Sequence, residues 1–318
     1  MATSPSALVP SVDAVPARRF QHYEAALEAI ADYQAEMCES ASRRRNNGLT
    51  VTDQDHREEV FCLFPPHAHE PPLAIIGGMG PLAGALAFRQ ACARFQDSRA
   101  VVLHQACSVP DRSTVILGEG RPDTPLCREV ASRLACAVRR AVDFASPSGR
   151  PAACIIACNS AHYFWRLLTD DLRLAGEVPR KVRMISLVTS SVVALLRRSS
   201  RRALLLATEG ARAGRVFSGP CRDAGIVFDE PPANLSCVLM RAIFEGIKSL
   251  DERRALELGN EFFDRTIKSG QDYDCLLAGC TELPLTIDLL KRRGSPAVAA
   301  FLSRVKIVDP LEEALSHA

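Results

Sequence analysis

From residue 73 onward, short apolar runs alternate with longer stretches of helical periodicity. The runs are rich in Leu, Ile, Val and Ala, as expected for buried strands. Between them, over 126–144 and 234–250 for example, apolar residues recur every three or four positions, which is the spacing of one helix face. This alternation predicts an α/β fold of mostly parallel sheets flanked by helices. Strands are predicted at 73–76, 101–104, 153–157, 183–186, 203–207, 226–228, 275–278 and 305–308.

The pattern also occurs twice. A strand ending at Ile76 and a later strand leading to Cys158 form one copy, while a strand ending at Ala207 and one leading to Cys280 form another. This duplication predicts two pseudosymmetric lobes, with ligands bound at the carboxyl ends of the strands. We assign residues 71–184 and 290–318 to the first lobe and residues 185–289 to the second.

Residues 1–70 differ from the rest of the chain. The stretch 1–19 is rich in Ser, Ala, Pro and Val, 20–42 shows helical spacing, and proline pairs at 65–66 and 71–72 predict a stiff connector. We interpret 1–70 as an N-terminal extension with one helix, which serves in targeting or docks on the core.

Charge and composition narrow the classes of function. The chain has 39 basic and 37 acidic residues, a net charge of +2, and 47% hydrophobic residues. These values indicate a globular protein and favour neither a nucleic-acid partner nor a membrane surface. Residues 71–88 carry no charge and are long enough for a membrane span, but their glycines and Pro81 favour a strand, a loop and a helix.

The chain contains twelve cysteines in 318 residues, without a CxxC pair or zinc-finger spacing. We therefore predict no metal site. Most of the thiols are expected to be reduced and buried, which favours a cytoplasmic protein. Secretion or organelle targeting through the extension is the alternative.

Cys158 and Cys280 each stand between a predicted strand and a helix start. Backbone N–H groups and the helix dipole there would favour the thiolate and lower its pKa. Two thiols facing one substrate carbon could remove a proton from one face and return one to the other. The result is inversion of a stereocentre without a metal or organic cofactor. The alternative is a pair of buried structural cysteines.

Five segments in order carry a family resemblance. They are IIGGMGPLA at 75–83, VPDR at 109–112, ACNSAH at 157–162, LLATEG at 205–210 and AGCTE at 278–282. Over residues 73–318 the sequence resembles the aspartate racemase branch of the aspartate/glutamate racemase superfamily. The resemblance implies a cofactor-independent, PLP-independent isomerase that acts on an acidic amino acid, aspartate first and glutamate next. It also implies a homodimer.

The resemblance assigns roles to individual residues. Cys158 and Cys280 become the acid/base pair, and Arg112 and Lys248 the cations that bind substrate carboxylates. The other substrate-binding positions it implies are Met79 and Gly80, through their backbone, and Asn159, Ser160 and Thr281, through hydrogen bonds.

Each of these positions has a structural alternative. Arg112 could be a surface loop residue and Lys248 a solvated helix residue. The glycine run could form a tight turn, and Ser160 and Thr281 could cap helices. His162 is predicted to be structural, Glu282 to be a first-turn helix acid, and Asp111 to orient its loop.

The chain also departs from the family pattern. Gly84 stands where threonine is common, and 105–108 differ in a stretch that borders the substrate in the family. Two further functions therefore stay open. One is an isomerase or decarboxylase of small diacids on the same scaffold, and the other is a non-catalytic ligand-binding or effector protein.

Overall fold

The structure is a computed structural model that describes residues 15–49 and 57–318. The predicted targeting function of the N-terminus falls mainly on residues 1–14, outside the described residues. The strands are β1 (Ala17–Phe20), β2 (Glu59–Leu63), β3 (Leu73–Gly77), β4 (Val101–Gln105), β5 (Ala152–Ile156), β6 (Val182–Ile185), β7 (Ala203–Ala207), β8 (Phe228–Asp229), β9 (Cys275–Gly279) and β10 (Lys306–Val308).

Helices lie between most of these strands. The α-helices are α1 (Tyr23–Asn46), α2 (Pro81–Phe95), α3 (Arg112–Glu119), α4 (Pro125–Ala145), α5 (Trp165–Leu174), α6 (Leu187–Arg197), α7 (Glu209–Ala213), α8 (Ser218–Asp223), α9 (Ala233–Arg241), α10 (Glu252–Lys268), α11 (Leu283–Arg293), α12 (Pro296–Arg304) and α13 (Pro310–Leu315). Short 3₁₀ turns cover Gln96–Ser98 and Ser160–Phe164, and a π-helical turn covers Ala242–Ile247.

Two sheets form the centres of the two lobes. The first has the order β1-β2-β4-β3-β5-β6 and the second the order β10-β9-β7-β8. Of the eight strand pairs in the described part of the chain, seven are parallel, and only β2 and β4 are antiparallel. Four strands of each sheet have the same arrangement. Counted along the chain, the second lies beside the first, followed by the third and the fourth: β4-β3-β5-β6 in the first sheet and β8-β7-β9-β10 in the second. The predicted α/β class with two pseudosymmetric, mostly parallel lobes is thus confirmed.

The central strands are buried on both faces because helices cover each side of the sheet. Every residue of β3, β5, β7 and β9 is buried, which explains why these strands read as continuous apolar runs. The uncharged stretch 71–88 forms β3, a glycine-rich turn and the start of α2, as predicted. Among the described residues, no helix is both long and apolar enough to cross a membrane.

The extension is more than an appendage with one helix. Helix α1 is present close to its predicted position, but β1 and β2 also join the first sheet, with β2 paired to β4. Tyr33 of α1 packs edge-on against Phe61 of β2, with ring centroids 5.3 Å apart. The described part of the extension therefore completes the first lobe's core.

The predicted lobe boundary is wrong at the C-terminal end. Strand β10, at Lys306–Val308, pairs with β9 and belongs to the second sheet, together with α11 and α12, which pack in the same core. Only α13 returns to the first lobe, where Leu311 and Leu315 are buried. The chain thus crosses between lobes near Ser186 and again near Asp309, and each of these residues caps the helix that follows.

Candidate active site

The carboxyl ends of the central strands of both lobes border one cavity. Loops after β3, β4 and β5 contribute from the first lobe, and loops after β7 and β9 together with the turn after the π-helical segment contribute from the second. The lining residues are Met79, Asp111, Arg112, Ser113, Cys158, Asn159, Ser160, Thr208, Lys248, Cys280, Thr281 and Glu282.

Eight of the nine predicted site residues line this cavity. The ninth, Gly80, lies against Glu282, because a Cβ built on it would lie 2.6 Å from that residue's Cδ. Cys158 and Cys280 approach from different lobes and are each 5% exposed. The fold therefore brings the predicted thiols, cations and hydrogen-bond donors together.

A wider groove lies along α1, away from these thiols. Its charged side chains pair with one another, Arg43 with Glu39 and Arg57 with Glu36. The smaller cavity between the lobes is the better candidate, since it combines nucleophiles with cations.

Cys280 is in contact with a carboxylate. Its Sγ donates to Oε2 of Glu282 at 3.2 Å, and the Thr281 hydroxyl donates to the same oxygen at 3.3 Å. Burial, followed by the nearby charge of Glu282, raises the pKa of the Cys280 thiol well above its ordinary value, and Lys248 opposes the shift. The predicted lowering of this thiol's pKa is therefore wrong, because desolvation outweighs the favourable field of a helix start.

Glu282 was predicted to be a first-turn helix acid. It immediately precedes α11 and is 1% exposed, with its carboxyl turned toward Cys280 and Gly80 rather than to solvent. Its position next to Cys280 and Thr281 in the AGCTE segment could have indicated that Glu282 belongs to the site. Its contact with Gly80 could not be predicted, because it depends on how the two lobes meet.

The backbone of Cys158 is held by His162. The imidazole Nδ1 donates to the Cys158 carbonyl at 3.1 Å, and Nε2 accepts from the Leu187 N–H at 3.0 Å. His162 also stacks on Trp165, with ring centroids 4.7 Å apart. Burial lowers the pKa of His162 to about 4, so the ring is neutral at physiological pH. His162 therefore connects the Cys158 loop to the start of α6, in the structural role predicted for it.

Hydroxyl groups from both lobes meet beside the thiols. The Ser160 hydroxyl lies 3.1 Å from that of Thr208, and Ser113 donates to the same Thr208 oxygen at 3.4 Å. Neither Ser160 nor Thr281 caps a helix through its side chain. Their hydroxyls are instead part of the cavity lining.

Asn159 also connects the lobes. Its Nδ2 donates to the carbonyl of Ala278 at 3.3 Å, and its buried Oδ1 has no hydrogen-bond partner among the described residues. An unsatisfied acceptor of this kind, in the lining of a cavity, is available to a ligand ammonium or hydroxyl group.

The two cations share one acceptor. Arg112, 2% exposed, donates through Nη2 to the carbonyl of Met79, and Lys248 Nζ lies 3.5 Å from the same oxygen. Arg112 also donates to the carbonyl of Pro110 at 3.0 Å. Arg112 is therefore not a surface residue, and Lys248 is half-buried over the Phe244 ring rather than solvated. Asp111 caps α3 by accepting from the Thr114 N–H at 2.7 Å, which orients the loop as predicted.

The two departures from the family pattern, Gly84 and the stretch 105–108, lie next to each other. A Cβ on Gly84 would lie 2.8 Å from the Gly77 Cα and would overlap the buried side chain of Gln105. The absence of a side chain at Gly84 therefore leaves room for Gln105 beside the glycine-rich turn.

Among the described residues, no group of three His, Cys, Asp or Glu side chains is arranged to hold a metal ion.

Comparisons with known proteins bear on the family and on the fold. The family described as Asp/Glu/Hydantoin racemase matches residues 76–318. An aspartate racemase from Picrophilus torridus is 20% identical with a TM-score of 0.57, and the match covers 77% of this chain and 92% of that one. An aspartate racemase homologue from Pyrococcus horikoshii is 20% identical with a TM-score of 0.50, covering 78% and 97%. At these identities the likeness to the solved structures establishes a shared fold.

Proposed function

Since the chain belongs to the Asp/Glu/Hydantoin racemase family, we propose that it racemises an acidic amino acid, aspartate first and glutamate second, with two cysteines and no PLP. One observation carries the proposal: Cys158 and Cys280, from opposite lobes, line the same cavity as Arg112 and Lys248. Two thiols supply the acid and the base, and two cations match the two carboxylates of the substrate.

In the reaction, the thiolate of one cysteine removes the α-proton, and the electron pair of the C–H bond moves into an enolate of the α-carboxylate. The thiol of the other cysteine then protonates the α-carbon from the opposite face and becomes a thiolate. A positive charge beside the α-carboxylate stabilises the enolate, since negative charge increases there in the transition state.

The surroundings of Cys280 decide its first role in the proposed reaction. Cys280 is a thiol at rest, because its pKa is raised and its proton is directed at Glu282. It therefore serves first as the acid, and Cys158 serves as the base. Before the resting enzyme can act on the opposite enantiomer, Cys280 must lose its proton and Cys158 must gain one. Glu282 is the acceptor within hydrogen-bond distance of Cys280.

Arg112 and Lys248 have a common function in binding. Both side chains donate to the Met79 carbonyl, so their donor groups already point to one place in the cavity. A substrate carboxylate would compete with that carbonyl for these donors. The Asn159 amide oxygen could accept from the substrate ammonium group. An acidic amino acid would thus be held by its three charged groups.

The proposal is tested with L-aspartate in deuterium oxide. Optical rotation should decay to zero while the α-proton signal is replaced by deuterium, and L-glutamate should react more slowly. Cys158→Ala and Cys280→Ala should each abolish racemisation. Cys275→Ala, at the start of the strand that leads to Cys280 but outside the cavity, is the matched control and should keep most of the activity.

Single-cysteine variants give a sharper test. A variant that keeps one thiol can still exchange the α-proton of the enantiomer that presents it to that thiol, without inversion. Exchange of one enantiomer by Cys158→Ala and of the other by Cys280→Ala would support two opposed thiols. If the wild-type protein exchanges no amino acid but isomerises or decarboxylates a small diacid, the racemase proposal is wrong. The homodimer implied by the resemblance stays a prediction, to be tested by sedimentation.

A further inference from the structure

We propose that helix α1 of the N-terminal extension is a strap that links the two lobes and positions Lys248, with Arg45 as the positioning residue. The kinetic part of this inference rests on the proposed function. The strap lies outside residues 76–318, the part of the chain that the family match covers.

The contact with the second lobe is made at the C-terminal end of α1. Arg45, in the last turn of the helix, donates through Nη1 to the carbonyl of Ser249, and its Nη2 lies 3.5 Å from the carbonyl of Leu250. These two carbonyls belong to the residues that directly follow Lys248. A guanidinium has its donors in a planar fork, so one side chain can hold two neighbouring carbonyls in a defined orientation.

The backbone around Lys248 has an unusual conformation that this contact supports. A π-helical turn at Ala242–Ile247 leads into Lys248, whose N–H donates to the Ile243 carbonyl at 2.9 Å. Leu250 then has φ +55°, in the left-handed region that side chains other than glycine rarely adopt. A segment of this kind keeps its shape only when its surroundings hold it.

The side chain of Leu250 provides a second link between the lobes. It packs against the first-lobe core cluster that contains Ile30 and Tyr33 of α1. The Leu250 carbonyl thus contacts Arg45 of the extension, and the Leu250 side chain contacts the core that the extension shares with the first lobe. Both contacts hold the segment after Lys248 against the first lobe.

Helix α1 also supports the substrate loops of the first lobe. The Tyr33 hydroxyl donates to the Arg57 carbonyl at 2.8 Å and lies 4.0 Å from Sγ of Cys107. The Cys107 backbone packs against Gly78, since a Cβ at Gly78 would lie 2.7 Å from the Cys107 nitrogen. Gly78 precedes Met79, whose carbonyl lies 3.5 Å from Lys248 Nζ. One helix therefore supports both sides of the Lys248–Met79 contact.

The experiment compares Arg45→Ala, Arg45→Lys and Arg43→Ala. Arg43 lies in the same helical turn, but its partner is the exposed Glu39, so it is the matched control. Hydrogen–deuterium exchange of the peptide spanning 242–251 reports on the strap whether or not the protein is active. Arg45→Ala should speed exchange there by about tenfold, Arg43→Ala should leave it unchanged, and Arg45→Lys should give an intermediate value, because an ammonium can still reach one carbonyl.

Kinetics then distinguish positioning from general support. Arg45→Ala should raise KM for L-aspartate by about tenfold with a much smaller change in kcat, because it disturbs a group that binds the ground state and the transition state alike. In a Lys248→Ala background, Arg45→Ala should have no further effect on KM.

Two results would overturn the strap: unchanged exchange in the 242–251 peptide of Arg45→Ala, or an equal rise in KM with and without Lys248. Faster exchange in a protein whose wild type processes no amino acid would support the strap and contradict the proposed racemase. The two inferences can therefore fail separately.

Discussion

Lowering the pH should destabilise the first lobe through one buried side chain, His162. Its Nδ1 donates to the Cys158 carbonyl and its Nε2 accepts from the Leu187 N–H, so the neutral ring satisfies both partners. A second ring proton would place a donor opposite the Leu187 N–H in a buried site. Protonation must therefore break the link between the Cys158 loop and α6.

The magnitude follows from the shift in pKa. Burial lowers the pKa of His162 from 6.5 to about 4, so the unfolded chain takes up this proton at a higher pH than the folded one. The stabilisation from His162 is complete above pH 6.5, is lost as the pH falls and levels off below pH 4. Between pH 8 and pH 5 the loss from this group alone should be about 2 kcal/mol.

The only tryptophan of the chain provides the assay. Trp165 stacks on His162, with ring planes 7° from parallel, so its fluorescence reports on unfolding at this site. Urea unfolding of the wild type and of His162→Gln is followed at pH 8 and pH 5. Glutamine can donate and accept as the neutral imidazole does, but it does not titrate, so the variant should lack about 2 kcal/mol of the pH dependence. Equal pH dependence in the two proteins would refute the assignment of a buried neutral His162.

Three further predictions concern the crossover and the cavity. Burial raises the pKa of Asp309 to about 6, so a fall in pH should stabilise the protein through this residue, opposite to the effect of His162. From pH 8 to pH 5 the wild type should gain about 1 kcal/mol of unfolding free energy relative to Asp309→Asn. A difference that stays constant with pH would contradict this. Glu282→Gln should lower the pKa of Cys280, measured by the pH dependence of its alkylation, and should lower kcat about a hundredfold. Since the two enantiomers have equal free energy, that variant must lose kcat/KM equally in both directions. Gly80→Ala should lower kcat/KM at least about tenfold by displacing the Glu282 carboxyl, and it should have no further effect in a Glu282→Ala background.

The sequence predicted the parts of the fold that local pattern determines. The central strands are continuous apolar runs because helices cover both faces, and the strand–cysteine–helix order places each thiol at the carboxyl end of a strand. The sheet to which β10 belongs could not be predicted in this way. Its three residues fit the edge of either sheet, and its pairing with β9 is decided by where the preceding helices pack.

Strand β2 was missed for a related reason. Its apolar run follows two glutamates, which argue against a buried strand unless partners exist elsewhere. Those partners are distant in sequence. Glu58 lies 2.7 Å from His104 Nε2 and 3.1 Å from Arg140, and Glu59 pairs with Arg18 at 2.5 Å. Buried charge of this kind becomes acceptable only in the finished fold.

The same limit explains why the environments of the two thiols could not be predicted, although both positions could. The strand order is the same around Cys158 and Cys280, yet one backbone is held by a neutral imidazole and the other thiol faces a carboxylate. In the proposed reaction this asymmetry is useful, because a racemase with two equal thiols would have no preferred proton donor at rest. The carboxylate side holds the proton, and it is also the side where Lys248 lies and where the extension attaches through Arg45. The extension thus attaches to the lobe whose thiol must lose a proton before the resting enzyme can act on the opposite enantiomer.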